Sequence, residues 1–334
     1  LTRTEEGVLL LLENKIKSFI NERKAEEKTM LQEQKYGVEI EMTGITRYKA
    51  AQIISKHFGD TRLLHEGGYY DKFLALDRKQ RNWTVMSDGS INTSGGRDTS
   101  VEVVTPILGY DDLEDLQQIA RDLKASGATS DVKHGCGIHV HVGSEGHTPA
   151  SIRRMLKFMV GRQDLIYEAL EVGGRERWCH KISASIIHAM KSYKDNLDRN
   201  AIEGIWYSRA NDGYEPRCEC QTEHYNPTRY HGINLHSYFQ SNNFEFRLFN
   251  GTLHAGRIKA YVQFCLAISE WAKTSSDVMG FKSSSSYSPA GKVKLMNEVL
   301  TNRLGLKGAE FKTCRYFMTK ALVEKAATTS QSVA

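Results

Sequence analysis

Hydrophobic and polar positions alternate strictly along residues 36–43. Tyr36, Val38, Ile40 and Met42 fall on one side, and Gly37, Glu39 and Glu41 on the other. A period of two predicts a strand, because successive side chains point to opposite faces. It also stands the two carboxylates about 7 Å apart on one face. The pattern returns three times. Glu102 sits between Val101 and Val103, His139 and His141 alternate with Ile138, Val140 and Val142, and Glu245 and Arg247 alternate with Phe244, Phe246 and Leu248. Together these strands predict a sheet with an apolar face under helices and an open, wet face carrying the charged residues. Carboxylates crowded on so apolar a backing are costly unless cations, water or basic groups compensate them. The set reads as a reaction surface.

The remaining pattern is helical or irregular. Residues 4–33, with apolar Leu9, Leu12, Ile16, Phe19 and Ile20, predict one or two helices outside the catalytic fold. Further helices are expected over 49–58, 111–126, from Pro149 to about Leu170 with Thr148 as cap, and over 254–273, 292–303 and 310–325. A strand is expected through Phe73, Ala75 and Asp77, and another over 82–90 that ends in the Asp88-Gly89 turn. Residues 67–70 read as a turn. Residues 230–236 lead by a turn at 240–243 into the Glu245/Arg247 strand as a hairpin. The class is α+β, divided into an N-terminal helical extension (1–34), a catalytic domain (35–278), a C-terminal helical segment (279–325) and a flexible tail (326–334).

Composition narrows the partners. A chain of 334 residues can bury a large core. Its formal charge of +5 suits an anionic nucleotide without calling for nucleic acid. No apolar run of about 18 residues predicts a membrane span, and no secretory signal is visible. Six cysteines in so long a chain suggest free thiols in a reducing compartment, so the expected location is cytoplasmic. Cys218 and Cys220, with His224 nearby, are spaced too tightly to read as a zinc site.

Magnesium takes oxygen ligands and commonly sits between carboxylates and phosphates. Glu39, Glu41, Glu102 and Glu245 supply such ligands, an imidazole can add a nitrogen, and Arg247 can neutralise a transferring phosphoryl group. No Ser–His or Cys–His pair stands in an obvious nucleophile turn, which favours phosphoryl chemistry over a covalent hydrolase. Asp88, at a strand end, is a candidate contact to ligand or substrate, although Asp-Gly turns form without one. The basic span 173–232, which includes Arg175 and Arg229, reads equally as phosphate-binding loops or as a solvated face. The plainer alternatives are solvated glutamates, structural histidines, an Arg247 that merely pairs with Glu245, and a core Cys136.

The motifs Gly-x-Glu-x-Glu, Glu-Val-Val-Thr-Pro, Cys-Gly-Ile-His-Val-His-Val-Gly and Glu-Phe-Arg-Leu-Phe-Asn-Gly-Thr, in that order, resemble the amidoligase family. That family belongs to the carboxylate–amine ligase superfamily of glutamine synthetase and glutamate–cysteine ligase. The resemblance spans roughly residues 35–275. It implies a glutamine synthetase-like fold with a mostly antiparallel curved sheet, and ATP with Mg2+, or Mn2+ in its place, as cofactors. By resemblance Glu39, His139 and Glu245 hold the metal on the nucleotide side, and Glu41 and Glu102 hold a second metal nearer the substrate carboxylate. His141 resembles a substrate contact, and Arg247 resembles the arginine that steadies an acyl phosphate. His139, Arg247, Arg229 and Asp88 are the expected nucleotide contacts, and Glu41, His141 and Arg247 the catalytic set.

Glutamine synthetase's further metal glutamate has no counterpart shortly after Glu102, and Asp88 is the candidate substitute. The ammonium-binding elements also lack a counterpart. The implied partners are a carboxylate and an amine, on an amino acid, a peptide or a protein side chain. Apart from the resemblance, the N-terminal helix offers a surface for a homo-oligomer, with the oligomeric state left open. A loop over 95–98 or within 173–220 is expected to close the site. Rival readings are a guanidino-kinase-like phosphotransferase, a metallohydrolase using His139 and His141, and a non-catalytic nucleotide- or metal-binding module.

Overall fold

The computed structural model describes residues 30–93, 95–208, 223, 226–276 and 284–331. Its alternating segments become β1 (Tyr36–Met42), β2 (Leu63–Gly67), β3 (Lys72–Leu76), β4 (Asn82–Met86), β5 (Val101–Val104), β6 (Gly137–Gly143), β7 (Ile233–Asn234) and β8 (Asn243–Asn250). They form one sheet in the order β2-β3-β4-β5-β1-β6-β8-β7, with every neighbouring pair antiparallel. The four motif strands are therefore contiguous, as β5-β1-β6-β8.

After a single helical turn at Met30–Glu33, the helices are α1 (Arg47–His57), α2 (Leu113–Ala125), α3 (Pro149–Ala169), α4 (Ala184–Lys191), α5 (Arg199–Trp206), α6 (His236–Ser241), α7 (Ala255–Thr274), α8 (Pro289–Glu298) and α9 (Lys312–Gln331). Thr148 caps α3 by accepting from the Ser151 N–H, and Pro149 occupies the first turn, where a missing N–H costs nothing. The fold is α+β. Helix α1 lies on β3–β5, α7 lies on β6, and α9 packs in turn on α3 and α7. Val38, Ile40, Met42, Val103, Val140 and Phe246 are almost completely buried beneath these helices, each contributing about 1.5–3 kcal/mol.

Three elements differ from the pattern-based expectation. The segment before the Gly67-Gly68 turn is the edge strand β2, whose mainly exposed residues carry no apolar alternation to announce it. Ile233–Asn234 does pair with the Glu245 strand, but the connection is helix α6, closed by Asn242 in the left-handed conformation at φ 53°. Helix α9 continues to Gln331, past the expected end at 325, and Met296, Leu300, Met318 and Leu322 join the same core as the sheet. The expected N-terminal helix falls almost wholly outside the described residues, as do Arg209, Arg217, Cys218, Cys220 and His224. No helix among the described residues is long and apolar enough to cross a membrane.

Candidate metal and catalytic centre

Directly paired residues of an antiparallel sheet face the same way, so the register gathers the motif side chains. One row runs His139–Glu39–Val104, a second Glu41–Glu102–Met86, and a third Gly37–His141–Glu245–Asn234. Strand β8 advances three residues, from Phe246 to Phe249, while β6 crosses two, from Val140 to Ile138. This bulge lets Phe246 and Phe249 both meet the core while Arg247 stays beside Glu245. Asp88 follows β4. Its N–H donates to Ser100 Oγ at 3.1 Å, which holds it at the mouth of β5.

The expected wet face is not wet at its centre. Glu41 is 3% exposed, Glu102 5%, His139 2%, Glu245 4% and Arg247 6%. The cover comes from segments without a periodic pattern. Arg175 lies over Gly137, and Tyr230 stands 5.8 Å from the Arg247 guanidinium, ring centre to Cζ. Glu39 and His141 remain partly open.

The polar atoms bond mainly to one another. His139 Nδ1 lies 2.7 Å from Glu39 Oε2, and His141 Nε2 lies 3.0 Å from Glu39 Oε1. His141 Nδ1 faces Asn243 Oδ1 at 2.8 Å. Asn234 Nδ2 donates to Glu245 Oε2 at 2.6 Å, and Arg247 Nη1 donates to Glu245 Oε1. The Gly137 N–H donates to Glu41 Oε2 at 2.5 Å.

Burial dominates the electrostatics, and the partners decide its outcome. Burial pushes Glu102 well above the usual carboxylate range, and Glu39, Asp88 and Glu41 push it further. Burial would also raise Glu39, but His141 and His139 hold it well below that range. Glu245 feels the same burial and is held at about 2, chiefly by Arg247. Burial would lower His141, yet Glu39 outweighs it and lifts the imidazole to about 9. Cys136 is a buried core thiol, raised by burial to about 12.

Among the described residues three groups of side chains could each hold a metal ion: Glu39, Glu102 and His139; Glu39, His141 and Glu245; and Glu41, Asp88 and Glu102. Within each group the ligand atoms lie within 4.8 Å of one another. His139 Nε2 is buried without a hydrogen-bond partner, 3.6 Å from Glu41 Oε1. An orphaned imidazole nitrogen among carboxylates fits a cation that the hydrogen bonds alone do not replace. Beside Glu39 and His141 opens a cavity of about 420 Å3, walled by Lys35, Val104, Pro106, Ile107 and Asn243. That volume suits a small organic ligand.

Residues 32–269 match the family model described as "Putative amidoligase enzyme". The chain belongs to the amidoligase family. No curated protein matches this amidoligase. The family match contains all nine candidate residues, and the structure brings eight of them together around one centre. Arg229 stands one ring further out, its guanidinium 5.9 Å from the Tyr230 ring whose neighbour is Arg247. Asp88 joins a metal-capable group with Glu41 and Glu102, the place expected of a substitute for the glutamate missing after Glu102. Asn234, Asn243 and Tyr230 were not singled out from the sequence. Asn234 and Asn243 lie on β7 and at the start of β8, and the expected hairpin lacked the register that sets Asn234 opposite Glu245.

Proposed function

We propose that this amidoligase is an ATP-dependent carboxylate–amine ligase acting through an acyl phosphate on a glutamine synthetase-like fold. The observation that carries the reading is the run of metal-capable groups sharing Glu39 and Glu102, with Arg247 fixed on Glu245 at their edge. Glu39, His139 and Glu245, drawn from the two groups that share Glu39, would hold Mg2+ on the nucleotide side. Glu41, Glu102 and Asp88 would hold it on the substrate side. The donor set is mainly oxygen, as Mg2+ or Mn2+ prefers, and the bound ion would offset charge on phosphoryl oxygens. The cavity beside Glu39 and His141 would take the nucleoside.

In the first step a carboxylate oxygen attacks the γ-phosphorus of ATP, the bond to the ADP oxygen breaks, and an acyl phosphate forms. In the second an amine nitrogen attacks the carbonyl carbon. The bond to phosphate breaks, orthophosphate leaves, and the nitrogen gives up a proton. Arg247 lies where negative charge collects in both steps, and the buried setting limits loss of the acyl phosphate to water.

The test is incubation with Mg2+, ATP and pooled carboxylates and amines, following ADP and product mass. Amine-dependent ADP release with a product one water lighter than the summed substrates is expected, and Glu41→Gln should lower the rate at least about 100-fold. A phosphorylated acceptor without condensation would instead make the chain a kinase.

A further inference from the structure

Gly137 opens β6 on the face that carries His139 and His141, and the Arg175 guanidinium rests on it. A Cβ at position 137 would fall inside that guanidinium. Arg175 follows the turn Val172–Gly174 and is itself 3% exposed. Its backbone is fixed at both ends: its N–H donates to the Val172 carbonyl at 2.8 Å, and its carbonyl accepts from the Trp178 N–H at 2.8 Å. The side chain is anchored at one corner, where Nη1 donates to the Phe249 carbonyl, two residues beyond Arg247. Its Nε is buried with no partner, and so is Nε of Arg247.

The surroundings are those of an anion site. Glu41 attracts the Arg175 charge and Arg247 repels it, so the two guanidiniums stand close enough to feel each other. The Gly137 N–H that donates to Glu41 lies under the same guanidinium. A purely structural arginine normally spends its donors on protein acceptors. Here two neighbouring buried arginines each keep an N–H in reserve beside a cluster of carboxylates.

We propose that Arg175 is a second oxyanion-binding residue of the centre, placed by the absence of a side chain at Gly137, and that it grips the phosphoryl group on the Glu41 side while Arg247 grips it from β8. The assignment rests on the ligase reading. The ligand chemistry is a tetrahedral phosphate oxyanion, for which a guanidinium fork is suited and an ammonium is a poor replacement.

The probe is inorganic phosphate, titrated by calorimetry into the full chain at saturating Mg2+ and ADP. Arg175→Lys keeps the charge but loses the fork. Gly137→Ala keeps the arginine but displaces its head. Both variants are expected to bind phosphate about tenfold more weakly or worse, while ADP affinity with Mg2+ stays within about twofold of wild type. If Arg175→Lys fails to fold in a melting experiment, Gly137→Ala carries the test. Unchanged phosphate affinity, or an equal loss of ADP, would make Arg175 a structural strap and overturn the proposal. A wild type that binds no Mg2+–ADP would defeat the ligase reading instead. Phosphate titrated with Mg2+ alone would then decide Arg175 by the same comparison, and no phosphate binding in either condition would also overturn it.

Discussion

His141 owes its chemistry to a neighbour outside the His-x-His motif. Asn243 Oδ1 accepts from Ser237 Oγ at 2.6 Å and faces His141 Nδ1, while Asn243 Nδ2 donates to the Ser241 carbonyl at 3.3 Å. The amide is thereby oriented so that Nδ1 carries a proton and Nε2 points at Glu39, available to a cation once its own proton leaves. Asn243→Ala should therefore weaken Mn2+ binding about 10- to 100-fold by calorimetry. An unchanged affinity would leave the group of Glu39, His141 and Glu245 without a metal. The shifted groups also set a pH dependence. Burial raises Glu102 well above its ordinary range, and Glu39 lifts His141 to about 9, so a cation bound at His141 must expel the imidazole proton. A raised value stabilises the fold below the unfolded pKa and loses that contribution as pH climbs through the folded one. For His141 the window runs from about 6.5 to about 9. The gain in melting temperature on adding Mn2+ should grow across this window. A gain that stays flat would contradict the protonation assignment.

Among the elements, helix α1 and the β2–β3 hairpin are joined by one buried arginine that helps to position the group of Glu41, Asp88 and Glu102. Arg47 donates through Nε and Nη2 to Asp71 Oδ2, at 3.0 and 2.7 Å, and through Nη1 to the carbonyls of Arg97 and Ser100, at 2.7 and 2.9 Å. Ser100 in turn holds Asp88. Arg47→Met would leave two carbonyls without this donor, and it should cost about 2 kcal/mol or more in denaturant unfolding and weaken Mn2+ binding. Wild-type values for both would show that the hairpin needs no such tie. The strands were legible wherever one face had to be apolar: β1, β5, β6 and β8 all follow from a period of two. Strand β2 was not, because an edge strand exposed on both sides carries no such pattern. Helix α6 was hidden for a related reason, being six residues long with too few turns to show a period.

Across the whole molecule, the period of two put the motif residues on one face of each strand. It could not put the strands side by side, and their order β5-β1-β6-β8 came only with the structure. Nor could it show the cover. Arg175, Tyr230 and Asn234 reach the centre from a span with no regular repeat, so a face expected to be wet is nearly dry around Glu41, Glu102 and His139. Dryness strengthens every charge interaction there, and it would shield the proposed acyl phosphate from water. The family match ends at residue 269, yet Met296, Leu300, Met318 and Leu322 complete the same core. The sheet that carries the candidate centre is thus supported by helices from beyond the motif region. The most direct test of the whole account follows oxygen atoms. Once a carboxylate substrate has been found, it is labelled with oxygen-18 in both carboxyl oxygens and turned over with ATP and amine, and the released phosphate is weighed. An acyl phosphate requires one labelled oxygen to leave in orthophosphate and one to stay in the amide. Unlabelled orthophosphate, or label recovered in AMP, would contradict it.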